Sequence, residues 1–476
     1  MESFELDNGM RFWLVSRPEL SSVVAGWAVD AGSAADPDGQ SGLAHLLEHL
    51  MFKGSERIGT RDGAAERELR AEQEALEAQL AACRREREAR AAQSLAEAPP
   101  CQGEEKAAGE RLAELGGRLK ALAVPDELDR IYNRAGVSAV NAFTTRDASV
   151  YVASVPAEKL ELWFWLESDR LLSPVFRELA AEREVIREEQ RRSAATPLSA
   201  LDEEIDAAFW QSHPYRRSRW GWPGELESLG TADARRYFEE HYGAGHLTAL
   251  LLGRFDRTQV EALARRYFGR LPARPSSTGL PPREAPQSFE RRLAGTTSGA
   301  AKLLVRFHTV PLRHADTPAL EVLTGLLAGE NGRLARELVA SGLARQAIAE
   351  HFPAASAGYL SFRLEAAAPA TPPAELEARL GAVLASLKEA APGEDELERV
   401  KNRLVADGYR RLANPYFLGG QLLLYAAMGV PHWLEERGAG ISQVHGADVQ
   451  RVAAAYLRGE NSLVVSLAPK AEGAKP

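Results

Sequence analysis

The chain of 476 residues has only two cysteines, Cys83 and Cys101, so no disulfide framework holds it together. It lacks a basic excess. Lys and Arg number 58 against 67 Asp and Glu, and the net charge of -9 excludes a protein built to neutralise a phosphate backbone. No apolar run reaches the length of a membrane span, and the stretch from Val23 to Val29 is interrupted by Gly26. The first residues, Met1-Glu2-Ser3-Phe4-Glu5, carry neither the basic nor the apolar region of a secretory signal. The expected location is therefore the cytoplasm, or the periplasm for a trimmed chain. What is present is 45% apolar and 26% charged residues. That is the balance of a globular enzyme of about two to four domains, not of a disordered chain.

Four regions differ in pattern. In residues 1–60, segments 11–16 and 22–30 read as strands, and a helix begins at about Ser41. Residues 61–129 turn rich in Ala, Glu, Arg and Leu. Leu69, Leu76, Leu80 and Cys83 fall at heptad spacing, as do Leu112, Leu115, Leu119 and Leu122, with Ala98-Pro99-Pro100-Cys101 between the two sets. This predicts an inserted coiled-coil hairpin of two antiparallel helices, with Cys83 on the seam and too far from Cys101 for a bridge. Residues 130–272 predict a strand at 149–155 and helices near 157–172 and 177–194. The first domain is thus expected over 1–272, a Pro/Ser-rich linker over 273–286, a second domain over 287–468 and a tail over 469–476. Residues 233–253 and 448–468 align without gaps as helix, polar turn and buried strand. That is either an internal repeat or a coincidence of a common unit.

The stretch that carries chemistry is His45-Leu46-Leu47-Glu48-His49. Two histidines four apart on a helix project from one face about 5–6 Å apart, the spacing that two ligands of one zinc ion need. Glu48 stands beside both, placed to act on a water without being a ligand, in the H-x-x-E-H order of the inverted zincins. Composition alone would yield about 0.03 such patterns in a chain of this length. Leu43, Leu46, Leu47 and Leu50 already supply the helix with its packing face. A hydrolytic zinc site usually needs a third protein ligand. The run Glu182-Arg183-Glu184-Val185-Ile186-Arg187-Glu188-Glu189 is the acidic candidate. Glu182 and Glu189, two turns apart, share a face, whereas Glu188 points about 100° away from Glu189. Taken alone, the run also reads as a solvated helix face.

These residues, with Met51-Phe52-Lys53-Gly54-Ser55, Asn141-Ala142-Phe143-Thr144, Tyr151, Ser212-His213-Pro214-Tyr215 and Tyr267-Phe268-Gly269-Arg270-Leu271-Pro272, resemble the pitrilysin, insulin-degrading-enzyme and mitochondrial-processing-peptidase family. The resemblance covers nearly the whole chain except 61–129. It implies that Glu189 is the third zinc ligand beside His45 and His49, that Glu182 supports the metal from outside, and that Glu48 is the general base. It also implies that Asn141, Ala142 and Phe143 lie on an edge strand where a peptide adds as a further strand; from the residues alone an ordinary edge strand fits equally. The remaining eight histidines show no ligand spacing with one another.

The fold so implied is α+β, with two homologous domains of sheet plus helices packed on one face. The first carries one zinc ion and the second none, since its equivalent helix from Pro318 has no histidine. The implied activity is zinc-dependent peptide hydrolysis in a chamber completed by a second chain. Family members hold the substrate backbone with an Arg and a Tyr, and here Val339 and Arg345 stand in those places. That favours as partner a homologous subunit without the zinc motif, a heterodimer, over a homodimer. The alternatives are a non-catalytic or weakly active assembly subunit, which predicts a broken zinc motif, and a coiled-coil scaffold, which leaves His45, Glu48, His49 and Glu189 without a purpose.

Overall fold

The computed structural model describes residues 1–92, 102–195, 198–273 and 283–470. Most of the expected linker, the whole tail beyond 470, and the turn carrying Cys101 lie outside these residues. The first half contains β1 (Glu2–Glu5), β2 (Arg11–Ser16), β3 (Ser22–Val29), β4 (Ser138–Thr144), β5 (Ser149–Pro156) and β6 (Leu247–Gly253). Its helices are α1 (Leu43–Leu50), α2 (Gly63–Ala92), α3 (Gln102–Leu122), α4 (Glu127–Arg134), α5 (Leu160–Leu172), α6 (Leu179–Ser193), α7 (Asp202–Phe209), α8 (Pro223–Ser228), α9 (Thr231–His241) and α10 (Arg257–Tyr267). The second half contains β7 (Arg291–Thr297), β8 (Lys302–Thr309), β9 (Ala344–Pro353), β10 (Gly358–Ala366) and β11 (Ser462–Pro469). Its helices are α11 (Thr317–Leu327), α12 (Pro373–Glu389), α13 (Glu394–Leu412), α14 (Pro415–Ala427), α15 (Trp433–Ser442) and α16 (Gly446–Tyr456). No helix among the described residues is long and apolar enough to cross a membrane.

The two sheets share one topology. Their orders are β1-β2-β6-β3-β5-β4 and β7-β11-β8-β10-β9, which coincide strand for strand once β1 is set aside. In each, one parallel pair, β2 with β6 or β7 with β11, joins otherwise antiparallel neighbours. The units that align in sequence, α9 to β6 and α16 to β11, occupy matching places. Their helix starts agree as well: Gly230 N–H donates to Asp233 and His445 N–H to Asp448, each at 3.0 Å. Both contacts satisfy a backbone donor at the helix entrance.

Both faces of each sheet are covered, not one as the sequence suggested. On the first sheet, Phe12, Ala25, Trp27, Tyr151 and Leu251 pack against α1, α5, α9 and α10. The opposite face, with Val24, Val150, Val152, Leu250 and Leu252, is covered by Leu422, Leu423 and Ala427 of α14 from the second half. The exchange is reciprocal: Ile205 and Phe209 of α7 cover Leu304, Leu463, Val465 and Leu467 of the second sheet. The sign of this was the run Val23-Val24-Ala25, apolar at consecutive positions where a strand with one wet face would alternate.

Helices α2 and α3 pair with each other, and their ends meet. Arg61 N–H donates to the Leu122 carbonyl at 2.9 Å and Val124 N–H to that of Gly59 at 3.0 Å. Further out, Arg111 Nε lies 2.7 Å from Glu72 Oε1, and Leu69, Leu76, Leu115, Leu119 and Leu122 cluster between the helices. Cys83 is buried and reduced. The helical pair ends sooner than the expected residue 129, because Leu128 and Tyr132 of α4 belong to the core of the first sheet. Those two apolar positions, four apart among charges, are what commit α4 to the domain.

One buried ion pair ties the hairpin to that domain. Glu66, in the first turn of α2, accepts from Arg177 Nε at 2.8 Å and Nη2 at 2.7 Å, and both side chains are almost fully enclosed. Arg177 also donates to the carbonyls of Lys53, Ser55 and Ile58, gathering the loop that follows α1. Burial works to raise the Glu66 carboxyl, but the bonds and charges of Arg177 and of Arg70, which meets it at 2.8 Å, outweigh it and hold the group below its ordinary value. Removing Arg177 leaves Glu66 with Arg70 alone and strips that donor from the loop carbonyls of Lys53, Ser55 and Ile58. Arg177→Met should therefore cost about 3–5 kcal/mol in denaturant unfolding at neutral pH. Because the Glu66 carboxyl is depressed, its contribution is complete above the ordinary carboxylate range and lost as pH falls through the folded value, so the deficit should shrink in acid. A variant as stable as the parent would remove the pair from this role.

Candidate metal centre

Helix α1 starts on a fixed footing. Asp36, fully enclosed, accepts from the N–H groups of Gly42 and Ala44, each at 2.8 Å, which satisfies donors that the first turn leaves open. Burial pushes the Asp36 carboxyl up to about 8 against the pull of those N–H groups. Gly42 (φ +85°) and Gly221 (φ +88°) touch through their backbones; a Cβ on Gly42 would sit 2.7 Å from the Cα of Gly221. Ser41 adds two bonds across the same contact, one from Trp222 N–H at 3.0 Å and one to Glu225 at 2.9 Å. The segment around Trp220 is thereby pinned to the entrance of α1. The Trp220 ring meets the His45 ring edge-on at 5.1 Å.

From this footing Leu43, Leu46, Leu47 and Leu50 enter the core, and His45, Glu48 and His49 face α6 and β4. On α6, Ile186 is buried between Glu182 and Glu189 and sets the helix register. Glu188 lies outside, exposed and paired with Arg191 at 3.0 Å. His45 Nε2 is 3.7 Å and His49 Nε2 3.6 Å from Glu189 Oε2. These separations are too long for hydrogen bonds but near the roughly 3.4 Å edge of a tetrahedron whose metal bonds are about 2.0–2.1 Å. One donor atom from each of His45, His49 and Glu189 lies within 4.8 Å of the others, the only such His/Cys/Asp/Glu group among the described residues.

The flanking contacts sort the roles of the carboxylates. Glu182 Oε2 lies 3.0 Å from His49 Nδ1 and its Oε1 lies 2.6 Å from Lys53 Nζ, which also reaches Glu178 at 2.9 Å. An acceptor at Nδ1 fixes the His49 tautomer that leaves Nε2 its lone pair. Glu48 does not join the trio; its Oε2 accepts from the Thr144 hydroxyl at 2.5 Å. Burial, with the charges of His49 and Arg219 adding to it, pushes His45 down to about 3 and keeps the imidazole neutral, as a ligand must be. Burial pushes Glu48 up to about 7, opposed by the Thr144 bond. For His49 burial acts downward, but the bond to Glu182 and the surrounding carboxylates outweigh it and raise the group. Glu182 is held low in turn by His49 and Lys53 against the effect of burial.

These groups line a cleft of about 530 Å³ together with Asn141, Ala142 and Phe143 of β4. Strand β4 is the edge of its sheet, paired only with β5 among the described residues. The structure thus brings together His45, Glu48, His49, Glu182 and Glu189 with the three edge-strand residues. Sequence reasoning gave no role to Thr144, Lys53, Arg219 or Trp220. Lys53, four residues beyond His49, was within reach of a helical-spacing argument; Arg219 and Trp220 carry no local signal. In the second half, α11 occupies the place of α1 with an apolar face and no histidine.

Comparison with known proteins bears on this site. The family described as Insulinase (Peptidase family M16) matches residues 11–93 and 118–221, and the one described as Peptidase M16 inactive domain matches 228–404. The chain is similar to mitochondrial-processing peptidase subunit beta of Lentinula edodes, 24% identical across 95% of this chain and 86% of that one. It is also similar to zinc protease PqqE of Helicobacter pylori, 23% identical across 98% and 93%. It spans 50% of the length of the probable mitochondrial-processing peptidase subunit beta of Arabidopsis thaliana, at 24% identity. Among solved structures, a protease from Helicobacter pylori shares the fold with a TM-score of 0.77 over 98% of this chain and 99% of that one, at 21% identity.

The backbone contact at the foot of α1 makes a prediction of its own. Gly221→Ala should lower stability by roughly 1–3 kcal/mol, since it combines a left-handed backbone with a Cβ pressed on the Ser41 carbonyl. Thermal unfolding reads this directly, and an unchanged melting temperature would mean that the segment is not pinned as described.

Proposed function

Because the chain belongs to peptidase family M16, we propose that it is a zinc-dependent metalloendopeptidase whose first half carries the active site. The observation that carries this reading is the convergence of His45, His49 and Glu189 at 3.6–3.7 Å with Glu48 beside them and outside the set. Two imidazole nitrogens and one carboxylate are a donor set that suits zinc and leaves a position open. When bound, zinc supplies Lewis acidity to the scissile carbonyl and to the attacking water.

The chain's own residues supply the rest. Strand β4 offers unpaired backbone groups along Asn141, Ala142 and Phe143, so an extended peptide can pair there with little demand on its sequence. Glu48, held by Thr144, takes the proton of the attacking water and passes it to the leaving amine. A carboxyl pushed to about 7 is matched to both halves of that exchange near neutral pH. Glu182 keeps His49 oriented, and Lys53 keeps Glu182 ionised.

The working form is a dimer that encloses the cleft in a chamber, with a homologous subunit lacking the zinc motif as the favoured partner. Two of the relatives compared above are named as beta subunits, and Val339 and Arg345 stand where a substrate-holding Arg and Tyr would. The same two residues favour a second reading, a weakly active assembly subunit of a heterodimeric processing peptidase. Alone, the protein should then bind zinc but cleave slowly.

Glu48→Gln should reduce peptide hydrolysis at least about 100-fold while stoichiometric zinc is retained in metal analysis; loss of zinc would make Glu48 a ligand instead. Glu189→Gln should fail to retain zinc through dialysis, and Glu188→Gln should retain it as the parent does. If the Glu188 variant proves the metal-poor one, the α6 assignment fails.

A further inference from the structure

The cleft has a charge that the proposed chemistry does not use. Three cationic residues line it: Lys53, Arg177 and Arg219. Lys53 is committed to Glu178 and Glu182, and Arg177 to Glu66. Among the described residues, no carboxylate or carbonyl accepts from the Arg219 guanidinium. The carboxylates that feel its charge, Asp202 and Glu203, bond other donors than its guanidinium. Glu203 accepts the backbone N–H of Arg219 at 2.8 Å and the Ser218 hydroxyl, and Asp202 pairs with Arg363 at 3.0 Å.

Arg219 is nevertheless held in place. Its guanidinium lies 5.1 Å from the centroid of the Trp220 ring, which itself packs on His45. Both residues sit on the segment that Gly221, Ser41 and Trp222 lock to the entrance of α1. An aromatic ring under a guanidinium keeps it planar to its surroundings and sheds part of its hydration, while its donor edge stays free for a bidentate acceptor. The lining also holds the acids Asp126, Glu127, Asp129 and Glu178, the last paired with Lys53 at 2.9 Å. An acidic group of a peptide in this cleft is therefore repelled by the carboxylates of the lining and drawn to Arg219, the cation with no carboxylate among the described residues bound to its side chain.

We propose that Arg219, seated on Trp220, is a carboxylate-binding subsite of the cleft, which takes an acidic side chain or the terminal carboxylate of a bound peptide close to the metal centre. This rests on the reading of the cleft as a peptide site, but not on hydrolysis. Paired donors of one guanidinium match the two oxygens of one carboxylate, whereas a neutral amide at the same position offers a single acceptor and no charge. The subsite thus selects by charge along the peptide, in addition to the sequence-tolerant pairing with β4.

The test is equilibrium binding to the full-length Glu48→Gln protein, in which peptides are not consumed. Fluorescent extended peptides carry a single Asp/Asn exchange moved along the sequence, and a further pair ends in a free carboxylate or an amide. In one register the Asp peptide should bind about fivefold more tightly than the Asn peptide, an advantage cut to within about twofold by Arg219→Gln and partly restored by Arg219→Lys. Zinc content and melting temperature should be unchanged in all three proteins. An advantage confined to the carboxylate/amide pair assigns the subsite to the peptide terminus, and one confined to the Asp scan assigns it to a side chain. Absence of any such preference, absence of binding, or a preference that survives Arg219→Gln overturns the proposal. Wild-type protein that holds zinc but hydrolyses nothing would refute the peptidase reading and leave this binding difference standing.

Discussion

Two imidazoles from α1 and a carboxylate from α6, 140 residues further along, converge in a site ringed by acids. Placing Glu48, Glu178, Glu182 and Glu189 around two histidines would be costly if each were left to repel the others. The structure distributes them instead. Glu182 is shared between His49 and Lys53, Glu178 also meets Lys53, and Glu48 takes a hydroxyl from Thr144. Glu189 is the one that faces the imidazoles at a separation longer than a hydrogen bond. That difference separates a donor set from a salt bridge.

The helical pair α2 and α3 falls between the second and third members of this set, yet leaves them together because its two ends meet at a short backbone ladder. It is also more than an addition to the outside. Glu66 reaches from its first turn to Arg177, and Arg177 gathers the carbonyls of the loop on which Lys53 stands. The order of helix α1, its exit loop and the base of α2 is thus set by one buried guanidinium, whose donors find carboxylate and carbonyl oxygens on every side.

Among the described residues the second half offers no candidate metal-ligand group, but the first half depends on it. Helix α14 covers a sheet face that would otherwise expose Val24, Val150 and Leu250. The turn between β4 and β5 is held from both sides. Arg146 and Arg306 meet the same Asp206, with Arg306 at 2.5 Å, and Asp147 accepts from the Ala355 N–H at 3.0 Å across the halves. Arg306 is buried over the Tyr359 ring at 4.2 Å. The edge strand that lines the cleft therefore takes its position partly from residues more than 150 positions away.

How much of this was legible follows from the range of each interaction. His45, Glu48 and His49 were readable because one helix turn places them, and helical spacing is a local property. Strands β2, β3 and β5 and the repeated helix-turn-strand unit were readable for the same reason, as was the antiparallel pairing of α2 with α3 from its leucines; β1 was not read, and β4 only through resemblance. Glu189 could be separated from Glu188 by spacing but told from a solvated face only through resemblance, since solvent exposure is decided by what packs opposite. Tertiary structure alone decided the rest: that α4 belongs to the core, which helix of the other half covers each sheet, and that Arg219 and Trp220 stand at the site. These rest on contacts between segments far apart in the chain, where burial and pairing depend on the partner surface and no local period records it.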